Sequence, residues 1–240
     1  MKGAFSCSVL LLVVLKNALM VFAVDPTQGF TNVPLTSSSF IYQKPYNVPL
    51  DKRYSFNNGV RRFWVYSNDK PFEHGSNTRP RTEVQIKPDY TSGVWQFEGY
   101  AFIPHGTSGA TIVQIHGAAN GNTTLLLRIY NGDMREYNGE VIATNLYDKW
   151  FKVNLIHNVD KGKVMVYINN VKKFESHDEG PGNLYFKCGV YAKTYSQRQG
   201  LSVNDGGLHM HLLMKAIVYL AHEELTSSLC SSASLLFDLR

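Results

Sequence analysis

Tyr185-Phe186-Lys187-Cys188-Gly189-Val190-Tyr191 is the stretch whose reading decides the fold. Side chains of a β-strand alternate between two faces, so Tyr185, Lys187, Gly189 and Tyr191 share one face and Phe186, Cys188 and Val190 share the other. The second face is apolar enough for a core. The first carries a cation, two phenols and a glycine expected to leave room for a ligand. Two upstream segments, Arg81-Thr82-Glu83-Val84-Gln85 and Gln114-Ile115-His116, alternate in the same way. Side by side, the three would pave one sheet face with Arg, Gln, His, Lys and Tyr, which suits a carboxylate-bearing ligand.

Outward from these segments the chain reads as short strands divided by turns. The pattern predicts strands over residues 40–43, 54–57, 61–65, 81–86, 93–102, 110–116, 124–130, 140–144, 150–158, 163–168, 171–174 and 183–191. Asn57-Asn58-Gly59, Asn131-Gly132-Asp133 and Asp160-Lys161-Gly162 are turn signals, and Asn169-Asn170 reads as the turn of a hairpin. Many strands at this spacing argue for an all-β, two-sheet sandwich. Nothing repeats, and no linker divides residues 24–193.

After Tyr191 the alternation stops. Residues 208–224 are rich in Leu, Met and Ala and read as a helix, followed by a Ser/Leu-rich stretch to Arg240. Residues 194–240 are therefore expected to be an atypical tail, either an appended helix or the product of an altered gene model. Such a tail is expected to pack poorly.

The N-terminus reads as a secretory signal over residues 1–23: Lys2 first, an apolar run from Val9 to Leu15, then Val21-Phe22-Ala23 as a small-x-small cleavage site. No apolar run approaches the roughly 20 residues needed to span a bilayer. The expected destination is the secretory pathway, ending in the vacuole or outside the cell. The charge of the full chain is +5, and losing Lys2 and Lys16 with the signal leaves 22 basic against 19 acidic side chains. That excess is too mild for nucleic acid, which needs a dense basic stripe. Asn122-Thr123-Thr124 is a glycosylation acceptor for a chain on that route. Cys188 and Cys230 would be the cysteines left. Cys188 faces the core side of its strand and reads as a buried thiol, with a Cys188–Cys230 disulfide as the alternative. No Cys/His spacing resembles a zinc site, and no cofactor is expected.

The three motifs, in this order, resemble the alginate-lyase-type domain of polysaccharide lyase family 7. That family carries an R-x-E-x-R strand, a Q-[IV]-H strand and a Y-F-K-x-G-x-Y strand. Val24-Asp25-Pro26-Thr27, Pro45-Tyr46-Asn47-Val48-Pro49-Leu50, Phe63-Trp64-Val65-Tyr66-Ser67 and Gly93-Val94-Trp95-Gln96-Phe97-Glu98-Gly99-Tyr100 are similar to its plant branch, the citrate-binding proteins. The resemblance implies a β-jelly roll, a concanavalin-like sandwich with one concave ligand-binding sheet. It also implies site residues. Arg81, Gln114 and His116 would neutralise a carboxylate, Tyr191 would serve as acid or base, and Glu83, Gln85, Lys187 and Tyr185 would line the ligand.

Two functions follow from such a site, with carboxylate binding of the citrate-binding type expected first and a polysaccharide lyase as the alternative. Uronate lyases remove a proton next to a carboxylate, which requires donors on the carboxylate and an acid and base near the scissile bond. The same donors can hold citrate, or another small carboxylate, without reaction. A lectin for acidic wall polysaccharide is a third expectation. Gln85 stands where the family has a second arginine, and it brings no charge, which weakens the case for a long polyuronate. The plainer readings are an Arg81–Glu83 ion pair, a satisfied sheet histidine at His116 and a solvated Lys187. His74, His105, His157, His177, His209, His211 and His222 lack motif context and read as surface or tail residues.

Overall fold

A computed structural model describes residues 25–66, 68–193 and 209–221. The expected signal segment and Cys230 lie outside these residues. The chain forms β1 (Phe30–Val33), β2 (Phe40–Gln43), β3 (Tyr54–Asn57), β4 (Val60–Tyr66), β5 (Arg81–Tyr90), β6 (Val94–Phe102), β7 (Ala110–His116), β8 (Thr123–Tyr130), β9 (Asp133–Glu136), β10 (Val141–Ala143), β11 (Trp150–Asn158), β12 (Lys163–Ile168), β13 (Val171–His177), β14 (Leu184–Ala192) and β15 (His209–Ala221). Asn58-Gly59, Asn131-Gly132 and Asn169-Asn170 all take positive φ. They close two-residue hairpins between β3 and β4, β8 and β9, and β12 and β13. Asparagine and glycine tolerate that conformation, and its twist matches the flanking strands.

Two antiparallel sheets stack on each other. One runs β13-β12-β11-β6-β15-β4-β3 with β1 beside β15, and the other runs β10-β9-β8-β7-β14-β5-β2. This is the expected β-jelly roll. Alternation puts Phe97, Val153 and Leu155 of the first sheet against Val84, Ile115, Leu127 and Phe186 of the second, all within 1% of full burial. Each such side chain contributes about 1.5–3 kcal/mol by leaving water. Tyr90 bridges the layers, with ring centroids 4.9 Å from Trp95 and 5.4 Å from Phe186. Cys188 is a buried free thiol, and burial pushes its pKa up to about 12.

Several expectations change. Residues 209–221 are a strand, β15, inserted between β6 and β4, where a helix was expected. It pairs with a strand on each side, so its backbone is held in a ladder along both edges. β15 also joins the sheet that does not carry the three motifs, so the site-bearing sheet is complete without it. β1 and β9, each four residues long, were not expected at all. His157 is fully buried, unlike a surface histidine. It lies 3.1 Å from the Tyr90 hydroxyl through Nδ1 and 3.1 Å from Asp178 through Nε2.

Candidate functional site

β14 lies between β7 and β5, and this order brings the three motifs together. Its register sets Tyr191 opposite Arg81, Gly189 opposite Glu83 and Lys187 opposite Gln85. On its other side Lys187 faces Gln114 and Tyr185 faces His116. Cross-strand partners share a face, so all eight expected residues stand on the side of the sheet turned away from the core.

Their burial divides them. Arg81, Glu83, Gln114 and Lys187 are 2–8% exposed, while Gln85, His116, Tyr185 and Tyr191 are half-buried. The buried four form a network centred on Glu83. Its Oε1 accepts from Arg81 Nη1 at 3.2 Å and from Lys187 Nζ, and its Oε2 accepts from Gln114 Nε2 at 2.5 Å. Lys187 also donates to Gln43 Oε1 at 2.7 Å. Lys187 is thus a buried, paired cation instead of a solvated one. Burial pulls its pKa down while Glu83 holds it up. The expected Arg81–Glu83 ion pair is present, and Glu83 organises all three donors.

Above this base sit the half-buried groups. The Arg81 guanidinium lies 3.9 Å from the Tyr191 ring centroid and 4.7 Å from that of Phe72. Tyr185 stacks on His116 with centroids 5.4 Å apart, and its hydroxyl is 3.2 Å from Nδ1. Burial, then Lys187 and Arg81, lower the His116 pKa, with Glu83 opposing them. His116 is therefore neutral at neutral pH. Burial raises the Tyr185 pKa. Gln85 donates to Asp89 Oδ1 at 3.1 Å, and Asp89 also accepts from Lys87 and Asn183.

Gly189 was expected to leave room for a ligand. It leaves room for the neighbouring strand instead. A Cβ there would meet Glu83 Cα at 2.4 Å and Thr82 O at 2.5 Å, and its φ is +143°. The close approach brings β14 onto β5 at the residue that centres the network, beside a register shift against β7 between Cys188 and Tyr191. Glycine is required by the backbone itself.

Three contributors escaped the sequence reading. Gln43, on β2, reaches Lys187 across 144 positions of sequence, and Phe72 comes from the segment before β5. Arg128, on β8, is 8% exposed and donates to Thr111 at 2.9 Å. The polar side of β8 held the only signal for it, and Leu126 on the same side obscured the alternation.

With this geometry in view, comparison with known proteins agrees. The sequence model described as alginate lyase matches residues 33–218. A citrate-binding protein of Hevea brasiliensis is 55% identical over 191 residues, 78% of this chain and 80% of the relative. An alginate lyase of polysaccharide lyase family 7 superposes with a TM-score of 0.56 at 17% identity, over 79% of this chain and 92% of the other. An alginate lyase from Corynebacterium sp. gives 0.57 at 17% identity, over 78% and 92%. Two matched sheets, three motifs on one face and a family match spanning β2 to β14 lead to one conclusion: the chain belongs to the alginate lyase family of β-jelly rolls.

Proposed function

We propose that the protein binds citrate, or a small carboxylate like it, on the site face of β5, β7 and β14. The observation that carries this reading is the charge balance of the network: Arg81 and Lys187 face a single carboxylate, Glu83. A net positive charge remains beneath His116, Tyr185 and Tyr191, where water is partly excluded. An anion held there gains more than it would in bulk water. Arg81 Nε is buried without an acceptor among the described residues, so the Glu83 pair does not use every donor of the guanidinium. The relative named for citrate binding supports the same ligand class.

Calorimetric titration with citrate, and with acetate as a single-carboxylate control, tests the reading. Citrate is expected to bind, and Arg81→Gln to weaken it by about 1.5–3 kcal/mol, the worth of a charge-assisted bond. Absence of citrate binding at millimolar concentration would end it.

A second reading is retained on one observation. The Tyr191 hydroxyl has no hydrogen-bond partner among the described residues, although Arg81 fixes its ring. A free phenol on the same sheet face as a neutral histidine suits β-elimination on a uronate polymer. There the C5–H bond breaks, a C4=C5 double bond forms, the C4–O bond breaks and a proton passes to the leaving oxygen. An absorbance assay for unsaturated uronates over a panel of polyuronates decides it.

The route through the cell belongs to the proposal as well. The signal-like residues 1–23 and the exposed Asn122 of Asn122-Thr123-Thr124 support a glycosylated protein of the secretory route, vacuolar or extracellular. Among the described residues, no helix is long and apolar enough to cross a membrane.

A further inference from the structure

An open cavity of about 450 Å³ lies at the opposite edge of the sandwich, where β10 of one sheet approaches β11 and β13 of the other. It contains no residue of β5, β7 or β14. Core side chains Phe151 and Ile168 reach into it, and Trp150, Lys149, Asn169 and Lys173 rim it. Trp150 is 47% exposed, large for an indole on a sheet. Lys149 and Lys173 are exposed, and no carboxylate is among the lining residues. The neighbouring Asp148 is occupied elsewhere, with Oδ1 accepting from the His105 amide at 2.9 Å.

The rim is also held in place. Trp150 stands opposite Phe102 in the register, ring centroids 5.7 Å apart. Asp148 N donates to Ile103 O at 2.9 Å, fixing the backbone next to Lys149. Asn169 donates through its amide to Lys152 O and accepts from Lys152 N, both at 2.9 Å, which ties the β12–β13 turn to β11. A preorganised rim of this kind loses little entropy on binding. The volume lies in the range of small-ligand sites, about 300–1,000 Å³.

The chemistry is specific. A flat, exposed indole takes the C–H face of a pyranose ring. Two ammonium groups with no opposing carboxylate select an anion. The cavity is open to solvent, so it does not enclose its occupant. We infer that this cavity is a second binding site, for a uronate unit of an acidic polysaccharide, separate from the β5–β14 site. A protein with both sites would stay attached to acidic polymer while its other face takes a small carboxylate or reacts. The inference does not rest on the citrate reading, because none of its residues takes part in that site.

The test follows the indole resonance of Trp150 in ¹⁵N-labelled full-length protein, assigned by comparison with Trp150→Phe. Tetrasaccharides of galacturonate, glucuronate and alginate are titrated to about 10 mM, a range that reaches weak surface sites. Movement of the Trp150 signal with at least one of them is expected, with little movement for the neutral cellotetraose. Lys149→Ala combined with Lys173→Ala is expected to weaken binding about fivefold to tenfold, as loss of two exposed charge contacts does. A Trp150 signal unmoved by all three acidic probes overturns the inference. So does equal response to the neutral sugar, or affinity unchanged in a double variant that melts like the parent.

Discussion

The Arg81 guanidinium lies over the face of the Tyr191 ring, 3.9 Å from its centroid, and the two residues are direct partners across β5 and β14. The contact joins the cation proposed to hold a carboxylate to the phenol proposed to move a proton. It holds the phenol by its ring and leaves the hydroxyl uncommitted. Tyr191→Phe keeps the ring and removes only that hydroxyl. For citrate binding the expected loss is about 0.5–1.5 kcal/mol, one neutral hydrogen bond. For lyase turnover it is about 10²–10⁴-fold in rate with affinity nearly intact. Titration and turnover measured on one preparation separate the two.

Glu83 is the only carboxylate in contact with Arg81 and Lys187 among the described residues. Glu83→Gln leaves two buried cations facing each other. The expected cost is about 3–5 kcal/mol in urea unfolding, as for a buried pair broken on one side. Glu83→Gln with Lys187→Met removes one charge of each sign and is expected to recover a large part of that loss. Equal instability of the single and double variants would show that the network does not depend on charge balance.

Gly189→Ala tests the close approach of β14 to β5. The added Cβ would stand 2.4 Å from Glu83 Cα at a φ of +143°. Backbone strain of about 1–3 kcal/mol and overpacking of similar size are both expected. The variant should unfold at lower urea and also lose ligand affinity, because β14 carries Lys187 and Tyr191. A variant as stable as the parent would contradict the geometry.

His157 predicts a pH dependence of stability. Burial lowers its pKa below the ordinary 6.5, with the Asp178 hydrogen bond and charge opposing that shift. Asp178 can only accept, so neutral His157 donates through Nε2 and accepts the Tyr90 hydroxyl at Nδ1. Below pH 6.5 the unfolded chain takes up a proton that folded His157 does not. This contribution is fully present above 6.5 and is lost as pH falls toward the lowered folded value. Chemical unfolding measured from pH 7.5 downward should show stability falling with pH, with a shallower slope in His157→Gln. An unchanged slope would remove His157 as the cause.

The sequence was legible wherever strand period and turn chemistry act locally. Twelve expected strands have counterparts within a few residues, apart from a longer β5 and β13. The Asn-Gly and Asn-Asn turns match because positive φ is a property of the residues themselves. The shared face of Arg81, Glu83, Gln114, His116, Lys187 and Tyr191 was likewise readable, since alternation assigns a face before any pairing is known.

What alternation cannot assign is partnership and burial. The 208–224 stretch has a composition that suits a helix, and only pairing with β6 and β4 makes residues 209–221 a strand, as tertiary pairing overrides propensity. His157 carries no motif, and its burial follows from β11 lying opposite the end of β5. Gly189 shows the same limit at the site itself: a missing side chain marks a close approach, but only the folded register shows whether ligand or backbone fills it. By itself, then, the sequence determined twelve of the strands, the turns between them and the shared face of the three motifs, because those depend on neighbours within a few residues. Tertiary structure alone decided that Glu83 also gathers Gln114 and Lys187, that Gln43 joins them, and that Trp150 and Lys173 line one cavity at a distant edge, because those arrangements depend on which strands pair and stack.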